Sequence, residues 1–418
     1  MKKKLVIVIG AGPAGMMAAI AAADEGASVT LLEKNDRVGR KLNITGKGRC
    51  NLTADVELDE MIKGFSGNGR FLYSSLAAFS NHDLIRYFAE RGLETKTERG
   101  NRVFPVSDDA GEVVAVLRKH LSAAGVKIQY STTVQAIRIK DGEISGVVTD
   151  TGKLDADAVI VATGGMSYPL TGSTGDGYRF AKTLGHKIVE PRPGLVPLLA
   201  KEEWIAELQG LNLKNVKATA YTNAGKVINE DFGELLFTAF GISGPIILSM
   251  SQAIGAHMMR HHETVSVHID LKPALSIEKL TARIQRDFDA YARKQFQNAL
   301  GDLLPSKLIP VFVQLSGIDP EKECSQINRA ERAGVVQLLK HFVVTVHGTR
   351  PIAEAIVTVG GVDVREIQPK TMESKRVKGL FFAGEVLDID GYTGGYNLQA
   401  AFSTGYVAGK HAAAREER

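Results

Sequence analysis

Leu5-Val-Ile-Val-Ile-Gly10-Ala-Gly12-Pro13-Ala14-Gly15 stands at one end of this chain, and Gly379-Leu-Phe-Phe-Ala-Gly384-Glu385, then Asp390-Gly-Tyr392-Thr-Gly-Gly395-Tyr-Asn397-Leu398, stands at the other. The first run reads as a strand, a glycine turn and a helix. Val6 to Ile9 are all β-branched, which suits a strand buried on both faces. Gly10 permits a tight turn, Gly12 lets the backbone approach a pyrophosphate, and Gly15 lets helix and strand pack closely. Pro13 fits the first helical turn, where a missing N–H costs nothing. Ala14 opens an Ala-rich helix whose N-terminus offers free N–H groups to phosphate. Ser28 to Leu32 reads as the next strand. Glu33 ends it, where an acid accepts the ribose hydroxyls of a dinucleotide.

A nicotinamide dehydrogenase needs only that N-terminal unit. A flavoprotein that wraps one FAD between both ends of its chain also needs the C-terminal one. There Glu385, at a strand end after Gly384, would accept from ribityl hydroxyls. Gly395, Asn397 and Leu398 would open a helix whose positive end stabilises charge on the flavin's N1–C2=O edge. The pairing points to FAD, bound non-covalently, since no tethering residue is evident.

Between the ends, a glycine-rich basic loop follows Glu33 and Lys34. It holds Arg40, Lys41, Thr45, Gly46, Gly48, Arg49, Cys50 and Asn51. Its cations would offset a pyrophosphate, and its glycines would turn N–H groups toward it. Val134 starts a strand and would offer backbone to an adenine edge. A buried strand over Ala156 to Ala162 ends in Ala162-Thr163-Gly164-Gly165, also placed beside the cofactor. Cys50 reads as a packed or flavin-proximal thiol, because no second cysteine lies near enough in sequence to resolve it.

Composition narrows the class. The net charge of +4 is small for the length, and two cysteines far apart suit a reducing cytoplasm. No apolar run is long enough to cross a bilayer. No His/Cys/Asp set has zinc-like spacing, so no metal is expected.

The pattern predicts helices over 70–92 and 111–124, and alternating strands over 127–148. A further helix opens at Thr171-Gly-Ser-Thr-Gly-Asp-Gly177 and runs to Leu184. Short strands and turns fill 195–275, with a hairpin turn at 221–225, and helices fill 276–341 after an N-cap at Ser276. The expected organisation is an α/β FAD-binding domain over 1–190 and 353–418. A β-rich insert covers 191–275 and 342–352, and a helical subdomain over 276–341 is nested in it. The insert is expected to cover the flavin. Thr358, Gly360 and Gly361 would stand on the substrate side, with Tyr168 and Tyr392 as further candidates.

These motifs resemble those of the bacterial aminoacetone-oxidase-like or NAD(P)/FAD-dependent oxidoreductases, a family that includes a bile-acid reductase. The matching stretches are Gly10 to Gly15, Thr45 to Asn51, Ala162 to Gly165, Thr174 to Gly177, Phe240 to Pro245, Thr358 to Val362 and Gly379 to Gln399. The resemblance implies a glutathione-reductase-like FAD domain with a β-barrel-like insert carrying a small helical subdomain. It also implies FAD contacts at Glu33, Arg40, Lys41, Thr45, Asn51, Val134, Glu385, Asn397 and Leu398. One departure is Phe237-Thr-Ala239-Phe240, where the family usually has a histidine in place of Ala239.

The expected function is hydride transfer at flavin N5 to or from a small molecule, with no catalytic side chain assigned. No second strand–GxGxxG–helix unit appears, so no dedicated NAD(P)H domain is expected; the sequence names no electron donor, and the alternatives are NAD(P)H docking transiently at the flavin face and oxygen as acceptor. The alternative is a flavin-containing binding or RNA-modification protein that uses the insert as its partner module. Acids among the bases of the helical stretch, and the absence of an arginine stripe, argue against nucleic acid.

Overall fold

The computed structural model describes residues 3–414. Its contacts divide the chain into two compact units, one built from residues up to Gly194 together with those from Ile352 onward, the other from Leu195–Pro351.

The first unit is organised on a five-stranded parallel sheet. Its strands are β1 (Leu5–Ile9), β2 (Ser28–Leu32), β3 (Lys127–Gln129), β4 (Ala158–Val161) and β5 (Leu380–Phe382), in the order β5-β4-β1-β2-β3. Thus β4, from mid-chain, pairs with β1 on one side and with the C-terminal β5 on the other. Val6, Val8, Val159, Ile160 and Leu380 are buried, as expected for strands covered on both faces.

Helix α1 (Pro13–Asp24) follows β1, and helix α2 (Tyr396–Ala413) ends the unit. The two helices approach closely because α2 presents glycines. A Cβ on Gly405 would stand 2.3 Å from Ala14 O, and one on Gly409 would stand 2.1 Å from Ala18 O. The N- and C-terminal segments are therefore joined twice, through the sheet and through this helix pair.

One expectation for the first unit needs correction. The helix predicted over 70–92 is broken into Tyr73–Ala78 and Asn81–Ala89. Ser80 caps the second piece, and with Asp83 it forms a capping box. Phe79 O, freed at the break, accepts from Ser403 Oγ (2.7 Å) and Gln399 Nε2 (3.2 Å). The stretch 127–148 is strand as expected, shared between two sheets: β3 joins the parallel one, and Val134–Lys140 and Glu143–Thr149 join Gly152–Asp155 in an antiparallel one. The helix opened by the 171–177 stretch spans Asp176–Thr183, with Leu184 as its C-cap, as expected.

In the second unit six strands close a barrel. In barrel order they are Leu198–Ala200, Gly241–Ser243, Val227–Thr238, Asn212–Tyr221, Val265–Asp270 and Phe342–Thr349. The 221–225 turn joins two of them, with Gly225 at φ 77°. A helix over Pro245–His261 interrupts the stretch read as strands and turns. Gly244, at φ 93°, lets the chain turn into it, and Pro245 starts it. Ile246, Ile247, Met250 and Ile254 form its buried face.

Ser276 caps Ile277–Ala290, accepting from Lys279 N–H. The helical stretch and the barrel share one continuous core, in which Leu280, Ile284, Phe312 and Leu339 lie with Leu198, Ile242 and Val267.

Gly409→Ala is expected to destabilise the protein by about 1–3 kcal/mol, because the new methyl meets backbone that cannot yield. Chemical denaturation of the variant checks it, and an unchanged midpoint would contradict the close helix pair.

Candidate functional site

Glu33 is the hub at the end of β2, and it is 8% exposed. Its Oε2 accepts from Ala11 N–H at 2.8 Å, inside the glycine turn. Its Oε1 accepts from Asn35 N–H (2.8 Å) and Asn35 Nδ2 (2.7 Å). A carboxylate has about four acceptor positions, so one remains for a hydroxyl. Arg40 donates to Asn35 Oδ1 at 2.8 Å. Ser131 N–H and Thr132 N–H donate to Asn35 O and Glu33 O, each at 3.0 Å, which brings the start of the Val134 strand to the end of β2.

The turn before α1 is shaped as the sequence requires. Gly10 has φ 98°, and a Cβ there would stand 2.6 Å from Ala162 O. A Cβ on Gly15 would meet Gly10 O at 1.8 Å. At Gly12, by contrast, a Cβ would meet nothing within 4 Å. Gly12 caps α1 without a side-chain bond, and no acid occupies the first turn. The helix start is thus an open, uncompensated set of N–H groups, as phosphate binding needs.

The basic loop docks here through Gly39 N–H, which donates to Ala11 O at 2.9 Å. Lys41 Nζ donates to Ser167 Oγ (2.6 Å) and Glu385 Oε2 (2.7 Å). Glu385 Oε1 accepts from Ser167 Oγ (3.0 Å) and Thr358 N–H (2.8 Å). This half-buried knot ties the basic loop, the segment after β4, the Val357–Val362 strand and the C-terminal block together.

Further along the loop, Gly46, Lys47, Gly48 and Cys50 all have positive φ. Thr45 Oγ1 donates to Leu42 O at 2.7 Å. Cys50 is fully buried, and burial pushes its thiol up to about 12, against a smaller opposing hydrogen bond with Thr45. It is a packed thiol, not a thiolate. Asn51 Oδ1 and Asn43 Oδ1 are buried acceptors without a hydrogen-bond partner among the described residues, as is the Thr163 hydroxyl oxygen beside Gly164.

At the C-terminal end, Gly384 N–H donates to Thr404 Oγ1 at 2.9 Å. Gly395 caps α2 at φ 103°, and a Cβ there would stand 2.3 Å from Thr53 C, so the position needs glycine. Asn397 accepts from Gly391 N–H and donates to Gly391 O, both at 2.8 Å. Its side chain shapes the Gly391–Tyr392 loop, while Leu398 lies half-buried in the first turn of α2.

Several expected contacts are redirected. Arg49 does not turn to the glycine cradle. Its guanidinium pairs with Glu98 and Asp108 and lies 4.1 Å from the Phe104 ring centroid, and these two carboxylates hold its pKa above the usual arginine value. Lys34 braces the 171–177 loop through Thr174 Oγ1 (2.6 Å) and Asp176 Oδ2 (2.7 Å).

Among the substrate-side candidates, Thr358, Gly360 and Gly361 are buried. Thr358 Oγ1 accepts from Met166 N–H (2.8 Å) and Ser167 N–H (3.1 Å). A Cβ on Gly360 would meet Glu190 O at 2.5 Å, and one on Gly361 would meet Val386 O at 2.6 Å. All three are packed closely against neighbouring protein atoms. Tyr168 and Tyr392 remain half-buried, with Lys41 Nζ 6.0 Å from the Tyr168 ring centroid. Ser167, Asn35 and Asn43 were not legible as site residues, because no motif or period marks them.

FAD fits this arrangement on observations of the chain itself. The space at Gly12 suits a pyrophosphate, Glu33 keeps one acceptor position, and Asn51 and Asn43 present buried acceptors to a ligand rich in hydroxyl and N–H donors.

Gly12→Ala is expected to leave the apoprotein within about 1 kcal/mol of wild-type stability, since its Cβ touches no protein atom. It should weaken FAD binding by at least about tenfold, or roughly 1.4 kcal/mol. Fluorescence titration of the apoprotein tests this, and unchanged FAD affinity would remove the pyrophosphate from Gly12.

A family model described as HI0933-like protein Rossmann domain matches residues 4–411. The chain is 34% identical over 412 residues to the 3-dehydro-bile acid delta(4,6)-reductase of Clostridium scindens, covering 98% of each. It is also 34% identical over 406 residues to the ribosomal RNA dihydrouridine synthase of Haemophilus influenzae, covering 96% of each. Among solved structures, the 3-ketosteroid-delta4-(5alpha)-dehydrogenase of Rhodococcus jostii RHA1 superposes with a TM-score of 0.53 at 16% identity, covering 98% of this chain and 96% of that one, a likeness of fold. With the two-ended cradle already described, the chain belongs to the HI0933-like Rossmann-domain family and is an FAD-dependent oxidoreductase.

Proposed function

We propose that this protein reduces a carbon–carbon double bond conjugated to a carbonyl in a small molecule, with NAD(P)H as a transient electron donor. The observation that carries this reading is the full-length similarity to a delta(4,6)-reductase of a 3-dehydro-bile acid. A 3-oxo group with double bonds starting at carbons 4 and 6 is a conjugated ketone, so that reaction adds hydride at one carbon and a proton nearer the carbonyl. Dihydrouridine differs from uridine by the same kind of addition, at a double bond conjugated to a ring carbonyl. The two relatives' names thus share one chemistry on different substrates.

Bound FAD supplies the hydride chemistry. In this reading the chain's own groups do the rest. The start of α1 and the Gly12 opening bind the pyrophosphate, Glu33 takes the ribose, and the Val134 strand faces the adenine. Arg40, Thr45 and Asn51 border the cofactor from the loop, and Ala162, Thr163 and Gly164 do so from the end of β4. Lys41 and Ser167 hold Glu385 for the ribityl chain, and the start of α2 at Gly395, Asn397 and Leu398 faces the flavin. Tyr168 and Tyr392 are the candidate proton donors to the substrate carbon next to the carbonyl.

Reduction of uridine in ribosomal RNA is the second reading, favoured by the similarity to the Haemophilus influenzae protein. Lys and Arg are nearly balanced by Asp and Glu across 195–351, which is not the footprint of an RNA-binding module. The small-molecule reading therefore stands first.

Anaerobic stopped-flow absorbance of the flavin decides between them. NADH or NADPH should bleach it, and a 3-oxo-Δ4 steroid acid should restore it. Failure of every conjugated ketone, with recovery on ribosomal RNA and gain of two hydrogens at a uridine, would establish the second reading. Recovery with oxygen alone would reject both. Tyr168→Phe is expected to slow the recovery by about 100-fold or more while leaving FAD content unchanged.

A further inference from the structure

His186, 3% exposed, lies in the turn after helix Asp176–Thr183. Its Nε2 is 2.8 Å from Ser374 Oγ, and its Nδ1 is 3.1 Å from Glu366 Oε2. The order serine, histidine, carboxylate is that of a nucleophilic triad. The hydrogen bonds rule out that role here. Ser374 is 6% exposed, and its Oγ accepts from Arg376 N–H and Val377 N–H, both at 3.0 Å. Both lone pairs are committed, so no nucleophile is free.

The same inventory fixes the imidazole. A hydroxyl has one hydrogen and two lone pairs. With both lone pairs used, the Ser374 hydrogen points to Nε2, which must be an unprotonated acceptor. Nδ1–H then donates to Glu366, and His186 is neutral. Glu366 also accepts from Lys187 N–H (2.9 Å) and pairs with the Arg376 guanidinium. Glu366 and Arg376 are the charged groups facing the ring, while the Lys187 ammonium turns toward Asp363 at 4.0 Å.

Phe382 packs edge-on against the imidazole, with centroids 5.1 Å apart. Phe382 is the last residue of β5, and the chain passes from it through Ala383 and Gly384 to Glu385. The stretch holding Ser374 is paired with β5, through Ser374 N–H to Leu380 O (2.7 Å) and Phe382 N–H to Met372 O (3.0 Å).

We infer that His186 is a positioning residue for Glu385. Neutral, it fixes Glu366 and Ser374 under Phe382 and so sets where β5 delivers Glu385; protonated, it must release the Ser374 hydroxyl, and FAD binding weakens. The inference rests on Glu385 being a cofactor contact, as read above. Burial holds the His186 pKa below the usual histidine value, against the opposing pull of Glu366. The ring is therefore neutral at neutral pH, and its contribution to FAD binding is lost as pH falls through that lowered value.

FAD affinity measured from pH 8 to pH 5 on apoprotein tests it, with His186→Gln, Ser374→Ala and Glu385→Gln beside wild type. Wild-type affinity should be flat at neutral pH and fall in acid, approaching about tenfold per pH unit. His186→Gln should bind more weakly at neutral pH and show no acid fall. Ser374→Ala removes the hydroxyl whose release couples the ring to β5, so it should bind FAD more weakly at neutral pH and lose most of the acid fall. An acid fall in His186→Gln equal to wild type overturns the inference. Should that variant not fold, a wild-type acid fall in Ser374→Ala overturns it equally. Glu385→Gln binding FAD as wild type does at neutral pH would instead remove Glu385 from the cofactor, a separate failure from that of the histidine.

Discussion

Lys41 Nζ and Glu385 Oε2 meet at 2.7 Å although 344 positions separate them in sequence. The parallel sheet brings the N- and C-terminal segments of the chain near one another, with β4 pairing β1 on one side and β5 on the other. The glycines of α2 close the same two segments on the helical side. Each end of the chain contributes half of a cradle, and neither half is complete without the other. The ion pair is partly exposed, so its value lies more in fixing geometry than in net stability. Ser167 and the Thr358 N–H add the remaining hydrogen bonds to the carboxylate and leave it one orientation.

The parts of this site readable from the sequence are those that glycine dictates. Gly10, Gly15 and Gly395 occupy positions where any Cβ would strike backbone, and Gly12 stands where a Cβ would fill open space. Such requirements are local, and strand–turn–helix order exposes them. Charges are less legible because they choose partners in three dimensions. Arg49 and Lys34 sit in the expected loop, yet Glu98, Asp108 and Asp176 claim them. Thr358, Gly360 and Gly361 read as site residues because their stretch is glycine-rich, and those glycines also admit neighbouring backbone, a packing demand the sequence does not distinguish from a ligand's. At the level of elements, the break at Ser80 was written as a capping box that the helical period obscured. The Pro245–His261 helix was hidden by a Gly–Pro start that resembles a turn.

Function follows from the division of labour the fold allows. The chain supplies a dinucleotide cradle with buried acceptors at Asn43 and Asn51 and a thiol, Cys50, that burial keeps protonated. Redox chemistry belongs to the flavin, and the protein binds and orients it. Substrate identity is set by features that neither glycine motifs nor strand order encode, which is why relatives of equal similarity carry the names of a bile-acid reductase and an RNA-modifying enzyme.

The central claim is that one FAD is held by both ends of the chain. Calorimetric titration of the apoprotein with FAD, FMN and ADP tests it most directly. FMN lacks the half that Glu33 and the start of α1 receive, and ADP lacks the half that Glu385 and the start of α2 receive. Joined halves gain from effective concentration, so FAD should bind at least about 100-fold more tightly than either fragment. FMN binding as tightly as FAD would contradict the account.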